Sequence, residues 1–307
     1  MLPRHLTVAA ALALGGTLAA AAVSRCQRAV EAGRQRLALY PAQTVDLPSG
    51  PMTFIEGGNP DGPPLLVLHG MFGGYDQALD IGRTFVPHCR ILAPSRFGYP
   101  GTPISGSGSP QQQATHICEL LDYLGVDSAY ILGTSAGGTA TLRFALDHPS
   151  RTRGVILFSS AMPWVENPAR YAEYQGPPSW LCNDCAMFLL SPFFPIAMGM
   201  PAKTLVTMMP VGQRRAGAIL DASVNNPDMA RNFAAYPVET LECPVLIIQA
   251  KDDKVAPCER AIAAFKRFPR ADMQIFEEGG HLLAGHEGEV RDAIEEFIGG
   301  ARVAGKK

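Results

Sequence analysis

The sequence predicts an α/β fold: a mostly parallel central sheet covered by helices on both faces and interrupted by a helical insertion. Three observations predict it. Short apolar runs that end abruptly at turn residues, such as 64–68 stopped by His69-Gly70, read as strands buried on both faces. Segments with apolar residues at helical spacing alternate with those runs, as parallel strands joined by crossover helices require. Between about residues 162 and 238 the alternation stops, and the chain becomes rich in Pro, Met and Phe.

Taken in order, residues 1–38 form a hydrophobic leader. An 18-residue run, 6–23, carries no charge; Arg4 and His5 precede it, and Arg25 and Arg28 follow. That length is at the lower limit for a membrane span and above the usual signal-peptide core. Two readings stand: an uncleaved membrane anchor, or an export signal with a small-residue cleavage site at Ala20-Ala21-Ala22. The protein is therefore expected to be membrane-anchored or exported. A lipoprotein is excluded, because Arg25 stands before Cys26 where a small residue is needed.

The first part of the core covers 39–161. Strands are expected at 43–47, 52–57, 64–68, 90–93, 129–132 and 154–158, with helices at 76–87, 111–124 and 135–148. The insertion covers 162–238. It is expected to be helical and to lie over the sheet's C-terminal edge as a lid; a plain structural subdomain is the other reading. The second part of the core, 239–300, holds strands at 244–249 and 273–276. Helix faces are marked by Cys258, Ala261, Ile262 and Phe265, and by Val290, Ala293, Ile294, Phe297 and Ile298. Residues 301–307 are a tail.

Composition narrows the function. The formal net charge of −2 gives no electrostatic reason to expect nucleic acid. Cys182 and Cys185 are the only close pair among seven cysteines. A zinc site would need a second ligand cluster, which the sequence lacks. The pair reads as apolar filler, or as a local disulfide if the chain is exported. No metal or cofactor is called for.

The chemistry lies at the turns. Gly133-Thr134-Ser135-Ala136-Gly137 sits between an expected strand and an expected helix. This G-x-S-x-G turn displays a serine above the sheet edge, and glycine at its outer positions permits the close approach. Ser135 is the candidate nucleophile. A serine needs a base, and His281 follows Gly279-Gly280 directly after the last strand. The base needs a carboxylate to orient it. Asp253 is the preferred acid, with adjacent Asp252 as the alternative. The oxyanion calls for backbone donors: the Ala136 amide, and one from the loop after 64–68, with Met71 first and Phe72 as fallback. One such donor is worth about 3 to 4 kcal/mol in the transition state.

These four segments resemble the α/β-hydrolase superfamily: His69-Gly70, Gly133 to Gly138, Asp253 to Pro257, and Gly279-Gly280-His281. The likeness runs from about residue 44 to residue 298. It implies a serine hydrolase with a helical cap, acting through a Ser135–His281–Asp253 triad on a small acyl substrate. The stretch 95–101 is similar to the family's loop after the fourth strand, with Ser95 where relatives often carry aspartate. There Arg96 either anchors the loop or meets a polar substrate group. His69 is expected to hold the oxyanion loop, and His286 to be structural. The serine argues against the aspartate-nucleophile branches, the dehalogenases and epoxide hydrolases.

The expected activity is cleavage of a carboxylic ester or related acyl compound, apolar in keeping with the Met-rich insertion. Two rivals remain. One is a carbon–carbon hydrolase using the same triad on keto acids from aromatic-ring cleavage. The other is a catalytically silent ligand-binding or sensor protein. If the leader alone carried the biological role, deleting 1–38 would leave esterase activity untouched.

Overall fold

The computed structural model describes the backbone of residues 4–300 and the side chains of residue 17 and residues 19–300. Eight strands form one sheet: β1 (Gln43–Leu47), β2 (Gly50–Gly58), β3 (Pro64–Leu68), β4 (Arg90–Pro94), β5 (Ala129–Thr134), β6 (Thr152–Phe158), β7 (Val245–Ala250) and β8 (Ala271–Phe276). Their spatial order is β1-β2-β4-β3-β5-β6-β7-β8. β2 runs antiparallel to β1 and β4, and every other pairing is parallel. All eight expected strands are present.

The helices in chain order are α1 (Arg4–Ala38), α2 (Tyr75–Phe85), α3 (Pro110–Tyr123), α4 (Gly137–Asp147), α5 (Asp184–Leu190), α6 (Phe194–Met198), α7 (Leu205–Met208), α8 (Arg215–Leu220), α9 (Asn226–Arg231), α10 (Cys258–Phe265) and α11 (Glu287–Ile298). Sequence sets their ends. Ser109 and Gln112 form a capping box at the start of α3, and Pro110 occupies the first helical position. The central strands are apolar on both faces, so helices must cover both. Ile156, Leu246 and Ile248 pack under α2 and α11, while Val155, Leu157 and Ile247 face α4 and α10.

The insertion has no strand, as expected, but its helices are short. Residues 163–183 have almost no regular structure, and none of α5 to α9 exceeds seven residues. Pro192, Pro195, Pro201, Pro210 and Pro227 recur too closely for long helices, since a proline inside a helix removes a hydrogen bond and clashes with the preceding turn. α8 and α9 are joined by a π-helical turn, Asp221–Asn225.

The leader is where structure adds most. Residues 4–38 form a single helix whose second half is docked. Cys26, Val30, Gly33 and Leu37 recur at helical spacing and lie along the buried side. At Gly33 a side chain would meet the Met209 backbone at 2.8 Å, so the glycine lets α1 approach the cap closely. Among the described residues no helix is long and apolar enough to cross a membrane. Much of the expected span, 6–16, lies outside the residues whose side chains are described.

Candidate active site

Ser135 lies where β5 meets α4, at φ 50°. The flanking glycines have separate reasons. At Gly133 a Cβ would stand 2.3 Å from Thr141 Oγ1 of α4, and at Gly137 2.3 Å from the Leu68 carbonyl at the end of β3. One clears the helix and the other the neighbouring strand. Sequence reasoning missed the support from behind. The loop after β6 braces the elbow: the Ala161 amide and the Ser160 hydroxyl both donate to the Ser135 carbonyl, at 2.9 and 3.2 Å.

Backbone strain concentrates here. Four non-glycine residues have positive φ among the described residues: Phe72, Ser135, Ser159 and Leu283. They occupy the loops after β3, β5, β6 and β8, all at the C-terminal edge of the parallel sheet. Strained dihedrals persist where surrounding structure over-determines them, and their clustering at one edge is a physical reason to look there for function.

Asp253 and His281 are both buried and meet at this edge, with His281 Nδ1 2.8 Å from Asp253 Oδ2. The carboxylate takes three further donors. Gln249 Nε2 reaches Oδ2 at 2.8 Å, and the Val255 and Ala256 amides reach Oδ1 at 2.8 and 2.9 Å. Burial opposes its ionisation. The contact with His281 and the two amides outweigh burial and hold the carboxyl below its ordinary range. A carboxylate at Nδ1 fixes the proton on that nitrogen and leaves Nε2 with a free lone pair. Asp252 has a different partner: its Oδ1 accepts the Gly280 amide at 2.8 Å, tethering the loop that carries His281.

The loop after β3 runs against the nucleophile, and a Cβ at Gly70 would stand 2.9 Å from Ser135 Cβ. Its two candidate amides differ. The Phe72 amide lies close to the Tyr99 hydroxyl, and none of Met71, Phe72 and Ala136 donates to a backbone acceptor among the described residues.

His69 is fully buried, with Nδ1 2.8 Å from the Gly70 carbonyl and Nε2 accepting the Arg96 amide at 3.1 Å. This pattern requires the neutral Nδ1–H tautomer. Burial first, then the Arg96 charge, pushes its pKa far below the usual histidine value. Arg96 itself is an anchor. Its Nε donates to the His69 carbonyl at 2.9 Å, and its guanidinium grips Asp221 of the cap. A second ionic contact joins cap and core: Arg214 places Nη1 and Nη2 at 3.0 and 2.9 Å from Asp76, and Nη1 also donates to the Gly73 carbonyl at 2.5 Å. Asp76 in turn holds Arg36 of α1 at 2.6 Å. His286 stacks on Phe276 and pairs with Glu289. Among the described residues no cluster of His, Cys, Asp or Glu could hold a metal ion.

Comparison with known proteins agrees with this architecture. The chain is 26% identical to 2-hydroxymuconate semialdehyde hydrolase of Pseudomonas putida over 298 residues, covering 89% of this chain and 96% of that protein. It is 26% identical to Lipase 1 of Psychrobacter immobilis over 275 residues, covering 86% and 85%. The solved structure of a membrane phospholipase A, described as a bacterial virulence factor, superposes with a TM-score of 0.67 at 20% identity, covering 97% of both chains. A profile of the Alpha/beta hydrolase family matches residues 65–293. The chain belongs to the alpha/beta hydrolase family.

Proposed function

We propose that the protein is a serine hydrolase that cleaves a carboxylic ester of an apolar acyl compound through an acyl-enzyme. One observation carries the reading: a strained, partly exposed serine and a buried Asp253–His281 pair stand on loops at the same C-terminal edge of the sheet. In the proposed mechanism His281 Nε2 takes the Ser135 proton as Oγ attacks the carbonyl carbon. The Met71 and Ala136 amides receive the charge that develops on the oxygen. His281 then protonates the leaving alcohol. Water, activated by the same nitrogen, releases the acid. Asp253 stays ionised throughout and stabilises the imidazolium.

The apolar part of the proposal rests on the rim. α6 lies beside both catalytic loops: Lys254 Nζ donates to the Ile196 carbonyl at 3.2 Å, and Gly280 abuts the Gly199 carbonyl. Leu189 of α5, Phe193 just before α6, Ile196 of α6, and Val255 and Leu282 of the two loops are exposed, apolar side chains suited to an acyl chain or a lipid surface. The phospholipase and lipase relatives favour the same reading, with residues 6–23 holding the enzyme at a membrane or directing its export.

A carbon–carbon hydrolase of the same triad is favoured by the likeness to the semialdehyde hydrolase. Purified enzyme assayed on p-nitrophenyl esters of rising chain length and on a vinylogous keto acid separates the two. Ester turnover that improves with chain length supports the proposal; selective cleavage of the keto acid replaces it. Failure of a fluorophosphonate probe to label Ser135 in folded protein would favour a silent binding protein.

A further inference from the structure

We propose that Cys26 and Cys185 form a disulfide site, whose oxidation fastens α1 to cap helix α5. The sequence draws attention to Cys182 and Cys185, three residues apart, but the fold separates their tasks. Cys182 is buried, with its sulfur 3.9 and 3.8 Å from the Pro177 and Pro178 carbonyls. Cys185 faces Cys26 instead, sulfur to sulfur at 3.2 Å, although 159 residues separate them. All seven cysteines are thiols in the structure. A disulfide needs its sulfurs at about 2.05 Å, so closing this gap asks for an approach of roughly 1 Å.

The two sulfurs are held together by groups that do not depend on the bond. α1 is fixed on one side of Cys26 by Gly33 against Met209 and by Arg36, whose Nη2 donates to Asp76 at 2.6 Å and to the Thr207 carbonyl at 3.1 Å. α5 is fixed by Asn183, whose side chain accepts the Ala186 amide at 3.0 Å. Asp184 adds a second tie, since its Oδ1 accepts the Val211 amide at 2.6 Å. Prior docking of both helices makes bond formation effectively intramolecular.

The exposure of the two thiols sets the order of reaction. The oxidant required is a disulfide: glutathione disulfide or the active disulfide of a thiol oxidoreductase. Cys185 is exposed and Cys26 is buried, so Cys185 reacts first. Its sulfur gives up a proton and attacks one sulfur of the oxidant. The oxidant's S–S bond breaks, and one half departs as a thiol, leaving the other half bonded to Cys185. Cys26 then loses its proton and attacks Cys185 Sγ, and the second half leaves as a thiol. Two protein thiols lose two electrons, and one oxidant disulfide becomes two thiols. Burial pushes the Cys26 thiol up, so the second step accelerates as pH rises.

The site does not depend on the hydrolase reading, and its test needs no substrate. The full chain is equilibrated with excess glutathione disulfide, blocked with iodoacetamide, and digested with trypsin without reduction. The expected product joins the peptide 26–28 to the peptide 171–203, and the free thiol count falls from seven to five. The link should survive Cys182→Ser, vanish in Cys185→Ser, and open on reduction. A Cys182–Cys185 bond with Cys26 alkylated would overturn the proposal. So would a Cys185–glutathione adduct that never resolves as pH is raised.

Discussion

Arg96 and Asp221 meet fork to fork, Nη1 on Oδ1 and Nη2 on Oδ2, each at 2.6 Å, and both side chains are sealed from solvent. One belongs to the loop after β4 and the other to the π-helical turn of the cap, so this pair is a rivet between the two layers. Removing one member of such a pair strands the other charge. Arg96→Met is expected to lower unfolding free energy by about 3–5 kcal/mol. Adding Asp221→Leu should recover most of it. Urea unfolding of both variants measures this, and equal loss in the single and double variants would show that packing, not charge, is at stake.

The two adjacent aspartates have separate tasks, so their variants should differ sharply. Asp253→Asn preserves shape but removes the charge facing His281 and unsettles its tautomer. A fall in kcat on the order of 10⁴ is expected. Asp252→Asn touches only the tether to Gly280 from an exposed carboxylate, and a fall of about tenfold or less is expected. If Asp252→Asn proves the more damaging, Asp253 is not the acid.

Tyr99→Phe tests the oxyanion loop without touching substrate. The hydroxyl donates to Asp221 at 2.5 Å and lies close to the Phe72 amide. Its loss takes a donor from the buried Asp221 carboxylate, at about 1–3 kcal/mol, and frees the neighbouring Met71–Phe72 turn to shift. kcat should fall while KM changes little. A rise in KM at constant kcat would instead place Tyr99 in substrate binding.

Asp76 predicts a pH signature. Burial opposes its ionisation, but Arg214 and then Arg36 overcome burial and hold its folded pKa below the ordinary 3.8. A depressed folded pKa means that the stabilisation is fully present above the unfolded value and is lost as pH falls through the folded one. Asp76→Asn should therefore cost most near neutral pH, about 3–5 kcal/mol. The gap from the unaltered protein should narrow below about pH 4. Denaturant midpoints across pH give the comparison, and a gap that stays constant into acid would contradict it.

Legibility in the sequence followed the range of the interaction. The elbow at Ser135 and the glycines before His281 are local patterns, because a sharp turn dictates its own residues. Asp253 against Asp252 was not decidable locally, since the choice depends on which carboxylate the Val255 and Ala256 amides can reach once the turn closes. Arg214 and Asp76 lie 138 residues apart, and nothing in either neighbourhood announces the other. The docking face of α1 was readable in principle from its 26, 30, 33, 37 spacing. The long uncharged run before it drew the reading toward a leader that ends at residue 38.

The docking of α1 has a practical bearing on how the catalytic domain can be produced. Hydropathy alone would suggest trimming at residue 39 to obtain a well-behaved fragment. That cut removes Arg36, leaving Asp76 with a single cation, and it bares the surface that Cys26, Val30 and Leu37 cover. A fragment that begins near residue 24 discards the apolar run yet retains every one of those contacts. The two trimmed forms should differ in solubility and heat resistance, with the shorter one inferior.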